Sequence, residues 1–308
     1  MTLNGLFVPL ITPFEASGAV ALDALERLAR RLLAEGATGL VALGTTGEPA
    51  ALTDAEKRAV VEVAARVCRE HAAPLLVGAD SAEALRRLRG LRDLGDPRDP
   101  DDYPDRSGDA GVTAALTVVP AFVRPGEEGV IAHFAHLAAR SPVPLVVYDI
   151  PYRTGQHLSA AGLRRIAAIP GVAGVKSATG GIGADVVDLL ADPPAGFAVL
   201  GGDDPYISPM LALGAHGGIL ASALVDTAGF ARLVSAWRDG DITVARPLGH
   251  RLARLSFRLF AEPNPTVVKA VLHARGEIPS PGVRLPLLPA SPVTVAAALE
   301  EAVPEEAA

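Results

Sequence analysis

The chain has 308 residues, of which 49% are hydrophobic, and a formal net charge of −7 at pH 7. One large core can form from this composition, and the acidic balance excludes an electrostatic case for binding nucleic acid or an anionic membrane. The single cysteine, Cys68, excludes an intramolecular disulfide, and no apolar run reaches the roughly 20 residues of a membrane-spanning helix. We therefore expect a cytoplasmic protein that acts on a small molecule.

Short apolar runs alternate with stretches of helical period, a pattern typical of parallel strands joined by crossover helices. The predicted strands are Leu6–Ile11, Gly39–Leu43, Pro74–Gly78, Ala114–Val118, Pro144–Tyr148, Val172–Lys176, Phe197–Leu200 and Gly217–Ala221. The predicted helices are Leu22–Glu35, Asp54–His71, Ala82–Asp93, Glu127–Ala139, Ser159–Ile169, Gly183–Leu190, Pro205–Leu213 and Thr227–Arg238. These repeats predict a (β/α)8 TIM barrel. An open doubly wound sheet is the alternative, and it loses support because no Gly-x-Gly-x-x-Gly follows the first strand.

Two stretches fall outside this alternation. Residues 241–308 predict a helical extension packed on a barrel of residues 1–240, because their helical segments are broken by prolines and are too few for a second core. Residues 93–109, DLGDPRDPDDYPDRSGD, are acidic and proline-rich and predict a surface loop on the barrel face opposite the active site. A cation site among the aspartates is the alternative, but their spacing fixes no ligand geometry.

Candidate catalytic residues lie at the carboxyl ends of the predicted strands, where barrel enzymes place their active sites. Lys176 ends the apolar sixth strand, VAGVK, where desolvation favours the neutral amine that attacks a carbonyl carbon. A structural lysine paired with a carboxylate is the alternative. Tyr148 ends the fifth strand, from which its hydroxyl can carry protons to and from the lysine, although ordinary core packing also explains a tyrosine there.

Candidate binding residues lie in two loops that follow strands. The turn GTTGE offers the hydroxyls of Thr45 and Thr46 and several backbone N–H groups, which suit the carboxylate of a small substrate. Arg153 suits bidentate recognition of a second carboxylate, with an ordinary surface arginine as the alternative. A phosphate site after the seventh strand is disfavoured, because Asp203 and Asp204 would repel the anion. No metal is expected, because no two of the seven histidines pair at the strand ends.

The segments GTTGE, VVYDIPYRTG, GVKSATG, GGDD and FAEPNPTVVK, in this order and spacing, resemble the dihydrodipicolinate synthase and N-acetylneuraminate lyase family. The resemblance runs nearly end to end and implies a barrel with C-terminal helices, assembled as a dimer or tetramer of identical subunits. It also implies an imine between Lys176 and pyruvate, so that no cofactor is needed. The segments YRTG and EPNP point to the dihydrodipicolinate synthase branch, whose second substrate is the small aldehyde aspartate semialdehyde.

The same resemblance implies a role for each candidate residue. Tyr148 would be the proton donor and acceptor, and Thr45 would be a relay hydroxyl. Thr46 would hold the pyruvate carboxylate through its hydroxyl and backbone N–H, and the backbone of Ile219 would make the remaining contact with pyruvate. Arg153 would bind the carboxylate of the aldehyde at the mouth of the barrel.

Phe122, in the segment VVPAFVRP, departs from the family pattern. It stands where a relay tyrosine reaches in from the neighbouring subunit, and phenylalanine has no hydroxyl to pass a proton. One alternative is therefore a pyruvate-dependent aldolase or dehydratase of the same family that acts on a sugar acid or another 2-oxo acid. A second alternative is a catalytically weakened homologue that binds a 2-oxo acid. Retention of both Lys176 and Tyr148 argues against the second, because a binder needs no nucleophile beside a proton shuttle.

Overall fold

The computed structural model describes residues 3–88 and 111–302. Parallel strands form a closed barrel in which each strand pairs with the next along the chain and the last pairs with the first. The strands are β1 (Gly5–Pro9), β2 (Gly39–Ala42), β3 (Leu75–Gly78), β4 (Ala114–Val118), β5 (Leu145–Asp149), β6 (Val172–Ser177), β7 (Ala198–Gly201) and β8 (Gly217–Ile219). The prediction of a (β/α)8 barrel is confirmed.

Helices follow the strands around the outside of the barrel. They are α1 (Leu22–Ala34), α2 (Asp54–Glu70), α3 (Ala82–Arg87), α4 (Gly126–Ala138), the short α5 (Pro151–Thr154), α6 (Ala160–Ala167), α7 (Ala184–Ala191), α8 (Ile207–Ala212) and α9 (Thr227–Arg238). Helix α2 shows how local sequence fixes a helix start, because the Thr53 hydroxyl and the Glu56 carboxylate cap each other's backbone N–H groups. No helix in the described part of the chain is long and apolar enough to cross a membrane.

The core has two layers, one inside the barrel and one between the sheet and the helices. Phe7, Val146 and Leu200 belong to the inner cluster, which fills the barrel with side chains. Side chains on the other face of each strand, such as Val147 and Val175, pack against the surrounding helices. Because both faces of each strand are buried, the strands are apolar without alternation, and their carboxyl ends are held by a rigid scaffold.

The C-terminal extension contains α10 (Ile242–Leu259), α11 (Thr266–Ala274) and α12 (Pro292–Glu301). Helix α10 contacts α8, α9 and α12, and α11 contacts α12. Beyond α11, Arg284 reaches the start of α2, where its guanidinium donates to the Glu56 carboxylate and to the carbonyl of Ala51. The division into a barrel of residues 1–240 and an extension of residues 241–308 stays a prediction.

The sequence places several element ends differently from the structure. Strand β1 ends at Pro9 although Leu10 and Ile11 are as buried as the strand itself, and β8 ends at Ile219, two residues before the predicted end. An apolar run marks which residues are buried, but it does not mark where the hydrogen-bond ladder stops. The second half of the helix predicted at 82–93 and the acidic segment 93–109 lie outside the described residues.

Candidate active site

Tyr148 and Lys176 lie side by side at the carboxyl ends of β5 and β6. They are direct partners in the register of these strands, so both side chains project from the same face, into the barrel. The Lys176 ammonium lies 4.3 Å from the centroid of the Tyr148 ring, and the two residues are only 7% and 9% exposed. An amine and a phenol are thus held together where little water reaches them.

Lys176 does not behave as a structural lysine with an ionic partner. Among residues 3–88 and 111–302, no carboxylate lies within 4.0 Å of its ammonium. Its methylene groups pass Gly202, where an added Cβ would lie 2.7 Å from Lys176 Cε, so the glycine after β7 makes room for the lysine. Within the described residues the ammonium therefore makes no ion pair, although its charge acts to lower the pKa of the nearby carboxyls of Asp203 and Asp204.

The GTTGE turn follows β2 and forms a 3₁₀ turn at Thr45–Gly47. Thr45 is exposed and lines the cleft described below, whereas Thr46 is only 4% exposed. The Thr46 hydroxyl oxygen accepts a hydrogen bond of 3.0 Å from the side-chain amide of Asn264, which lies just before α11. The extension thus contacts the turn that is predicted to bind the substrate carboxylate.

Glu48 ties the same turn to the extension through a buried ion pair. Its carboxylate lies 2.7 Å from the Lys269 ammonium, both side chains are at most 2% exposed, and its other oxygen accepts from the backbone N–H of Arg284. Burial lowers the pKa of Lys269, and the charge of Glu48 opposes that effect. The Lys269 ammonium also lies 4.0 Å from the centroid of the Phe14 ring. These contacts hold Glu48 in a left-handed conformation, φ 54°, that non-glycine residues rarely adopt.

A cleft of about 1120 Å³ opens at this end of the barrel, large enough for a small organic substrate. Among the residues that line it are Thr45, Tyr148, Arg153 and Asn264. Lys176, Thr46 and Ile219 do not line the cleft and are buried beside it at 7%, 4% and 1% exposure. Tyr148 joins the two sets, because it lines the cleft and its ring contacts the Lys176 ammonium.

Arg153 lies on α5 at the rim of the cleft. Its guanidinium carbon is 5.5 Å from the centroid of the Tyr152 ring, and both side chains are exposed. No ion pair to Arg153 is present in the described ranges. The guanidinium can therefore turn toward a carboxylate that enters the cleft.

Phe122 lies apart from these residues, in the loop after β4. It is 94% exposed, has φ 67°, and does not line the cleft of its own chain. A bulky side chain rarely adopts this left-handed conformation, so the loop presents Phe122 outward at a conformational cost. Its predicted place at the mouth of a neighbouring subunit stays a prediction.

The absence of a metal and of a cofactor also stays a prediction. In the two described ranges, no group of three or more histidine, cysteine or acidic side chains could hold a metal ion.

Asp149 follows Tyr148 on β5 and points to the opposite face of the strand. It is 1% exposed, and its Oδ1 has no hydrogen-bond partner among the described residues. Burial raises the pKa of this carboxyl from its ordinary 3.8 to about 7, against the opposing charge of His157. In the folded protein, the Asp149 carboxyl therefore stays protonated over much of the pH range in which the same group is ionised in the unfolded chain.

Replacement of Asp149 should change how stability depends on pH. The folded protein holds the Asp149 proton more tightly than the unfolded chain does. As the pH rises from about 4 to about 7, this group should therefore lower the free energy of unfolding. Asp149→Asn removes that contribution, so it should gain stability relative to the parent protein by a few kcal/mol over the same interval and level off above it. Urea unfolding of both proteins at pH 5 and pH 8 measures the change, and an equal difference at both pH values would contradict it.

The sequence matches the model of the dihydrodipicolinate synthetase family over residues 2–95 and 102–302. A 4-hydroxy-tetrahydrodipicolinate synthase of Methanothrix thermoacetophila is 36% identical over 293 residues, which cover 94% of this chain and 92% of the relative. The chain belongs to the dihydrodipicolinate synthetase family. A second relative, 4-hydroxy-tetrahydrodipicolinate synthase 2 of Clostridium acetobutylicum, is 32% identical over 293 residues, which cover 94% of this chain and 96% of the relative. The resemblance stated from the sequence is confirmed.

Solved structures of the dihydrodipicolinate synthetase family have the same fold. A chloride-inhibited dihydrodipicolinate synthase from Acinetobacter baumannii, complexed with pyruvate, superposes with a TM-score of 0.86 at 31% identity, covering 98% of this chain and 99% of that one. The enzyme from Thermotoga maritima gives 0.85 at 27% identity and covers 98% of both chains. The family consists of enzymes, and the prediction that this chain is a lyase-type enzyme of the family is confirmed.

The sequence interpretation missed the residues that the extension contributes to the site. Asn264 lies in the segment EPNP, which helped to identify the family but received no role. Lys269 is a cation inside the apolar run TVVKAVL, the same signal that selected Lys176, and it could have been found in that way. Nothing in the local sequence of Arg284 indicates that its backbone N–H donates to Glu48.

Proposed function

We propose that the protein condenses pyruvate with L-aspartate 4-semialdehyde to 4-hydroxy-tetrahydrodipicolinate through an imine on Lys176. The observation that carries this proposal is a buried lysine that forms no ion pair with any carboxylate of the described residues and is held against Tyr148 beside a cleft. The two relatives named 4-hydroxy-tetrahydrodipicolinate synthase support the reaction. The Acinetobacter baumannii structure complexed with pyruvate supports the first substrate.

The reaction begins when the neutral Lys176 amine attacks the carbonyl carbon of pyruvate. The Tyr148 hydroxyl moves the protons that convert the carbinolamine to the imine and release water. Loss of a methyl proton gives the enamine, whose carbon attacks the aldehyde carbon of the second substrate. The amine of that substrate then displaces Lys176 by imine exchange, which closes the ring and restores the lysine.

The binding residues hold the two carboxylates during these steps. The Thr46 hydroxyl and backbone N–H bind the pyruvate carboxylate, and the backbone of Ile219 makes the remaining pyruvate contact. Thr45 relays protons from Tyr148, and Arg153 binds the carboxylate of the aldehyde at the rim. The imine nitrogen withdraws electrons from the reacting carbon, so the proposal includes no cofactor.

The first experiment is an intact-mass spectrum after incubation with pyruvate and borohydride, followed by peptide mapping. A single reduced pyruvyl adduct on Lys176 supports the imine. An adduct with a different 2-oxo acid alone would move the function to another lyase of the family, and no adduct with any 2-oxo acid would overturn the imine proposal. Exchange of the pyruvate methyl protons with deuterium oxide, followed by NMR, separates an enzyme from a weakened homologue that only binds.

Phe122 is the observation that favours a second candidate, a pyruvate-dependent aldolase or dehydratase acting on a sugar acid or another 2-oxo acid. We expect a dimer or tetramer in which Phe122 of one subunit reaches the mouth of its neighbour. If aspartate semialdehyde is the substrate, Phe122→Tyr should raise turnover by roughly ten-fold or more, because the new hydroxyl completes a proton relay.

A coupled assay with aspartate semialdehyde and a panel of other aldehydes measures the effect of Phe122→Tyr. Phe122→Leu is the matched control, because it changes the same exposed side chain without adding a hydroxyl. Equal rates for the tyrosine and leucine variants would favour the second candidate function or a different proton donor.

A further inference from the structure

Asn264 is brought into the active-site cleft by the extension. It lies between α10 and α11 and lines the cleft together with Thr45 and Tyr148. Its side-chain Nδ2 donates to the Thr46 hydroxyl oxygen at 3.0 Å, although the two residues are 218 positions apart. A contact across this separation exists only because the extension folds back over the end of β2.

The polarity of this hydrogen bond decides what the Thr46 hydroxyl can do. A hydroxyl has one hydrogen to donate and lone pairs to accept. Because Asn264 donates to the oxygen, the hydrogen of Thr46 remains for another acceptor. Within residues 3–88 and 111–302, no protein group accepts it. The opposite polarity would turn the Thr46 hydrogen toward Asn264 and away from any ligand.

Neighbouring contacts join the turn that carries Thr46 to the extension that carries Asn264. Glu48, two residues after Thr46, is bound from the extension by the Lys269 ammonium at 2.7 Å and by the Arg284 N–H at 2.8 Å. The turn and the extension are thus joined at two further points. Movement that would break the hydrogen bond between Asn264 and Thr46 would also disturb a buried ion pair.

We propose that Asn264 is a positioning residue for the substrate carboxylate: by donating to Thr46, it directs the Thr46 hydroxyl to donate to the carboxylate of a 2-oxo acid. The proposal rests on the proposed function, because it assigns Thr46 to the same carboxylate. It adds a residue of the extension to the determinants of substrate affinity, acting through Thr46 and not on the reacting carbon. The affinity for a carboxylate-bearing substrate should therefore depend on the polarity at position 264 more than on its shape.

Asn264→Asp inverts the polarity at nearly constant shape. The new carboxylate accepts the Thr46 hydrogen and repels the substrate carboxylate, so the KM for pyruvate should rise roughly ten-fold or more, with a smaller change in kcat. Asn264→Ala removes the donor without inverting it, and its KM should rise by about three-fold. Asn4→Asp is the matched control, because it adds the same charge just before β1, at the other end of the barrel. Its KM should equal that of the parent protein.

Two further readouts separate positioning from a purely structural contact. In a Thr46→Val background, Asn264→Ala should change the KM for pyruvate by less than about two-fold, because the residue through which it acts has lost its hydroxyl. Borohydride trapping of Lys176 with acetone, a ketone without a carboxylate, should be equal in the parent protein and in Asn264→Asp. Additive effects in the Thr46→Val background, or equal loss of trapping with acetone and pyruvate, would assign Asn264 a structural role and overturn the proposal.

Failure of this inference differs from failure of the proposed function. If pyruvate labels Lys176 of the parent protein and Asn264→Asp shows the same dependence on pyruvate concentration, only the inference is overturned. If pyruvate does not label Lys176 of the parent protein, the proposed function fails first. Thermal unfolding of each variant checks the fold, and Asn264→Ala keeps the test decisive if the aspartate variant does not fold.

Discussion

Lys176→Met should abolish turnover, by roughly four orders of magnitude or more, while the unfolding temperature stays the same or rises. Methionine cannot form an imine, so the covalent route is lost. Lys176 is 7% exposed in the parent protein, and in the described ranges no carboxylate lies within 4.0 Å of its ammonium. Burial of this charge costs free energy, whereas burial of a methionine side chain does not. Methionine also fits beside Gly202 and the Tyr148 ring, because it is unbranched like lysine. The proposed catalytic role of Lys176 would thus lower the stability of the site in which the lysine lies.

Turnover, borohydride labelling and thermal unfolding of the same preparation measure these effects. Lys176→Arg is the second variant, because it keeps the positive charge without a nucleophilic amine. It should be as inactive as the methionine variant if the lysine acts as a nucleophile, and should retain activity if only the charge matters. A clear fall in the unfolding temperature of Lys176→Met would indicate a structural lysine, and substantial remaining activity would contradict the imine mechanism.

Lys176 and Tyr148 could be predicted from the sequence because their positions follow from a local pattern. Each ends an apolar strand, and the carboxyl ends of barrel strands meet at the active site. The repeated alternation of strand and helix fixed the barrel for the same reason, since each repeat is marked in its own sequence. The register of β5 and β6 then brings the two residues together without further information.

The contacts of the extension could not be predicted in this way. Asn264 and Thr46 are 218 positions apart, and Glu48 and Lys269 are 221 apart, so no periodicity relates them. Their pairing depends on how the extension packs against the barrel, which side-chain packing decides. The contacts of Phe122 could not be predicted either. Its exposed position shows that the loop faces outward, but it does not show which molecule covers the side chain.

Lys269→Met should lower the free energy of unfolding by about 3–5 kcal/mol, because it leaves the Glu48 carboxylate buried without its cation. The carboxylate keeps the backbone N–H of Arg284 and the more distant charge of the Arg284 guanidinium, and neither replaces an ammonium at 2.7 Å. The loss of the contact between the ammonium and the Phe14 ring adds to the effect. The result should contrast with Lys176→Met, although both variants remove a buried ammonium.

A double-mutant cycle in urea tests whether the Glu48 charge causes this loss. Glu48→Gln combined with Lys269→Met removes both charges, so the double variant should recover much of the stability that the single lysine variant loses. Lys57→Met is the control, because Lys57 lies 3.9 Å from Asp54 in a solvent-exposed pair and should contribute less than about 1 kcal/mol. A double variant less stable than Lys269→Met alone would show that packing, and not an uncompensated carboxylate, dominates. Recovery would mean that the barrel and its extension are joined by an ion pair that is costly to break, at the turn where the substrate carboxylate is proposed to bind.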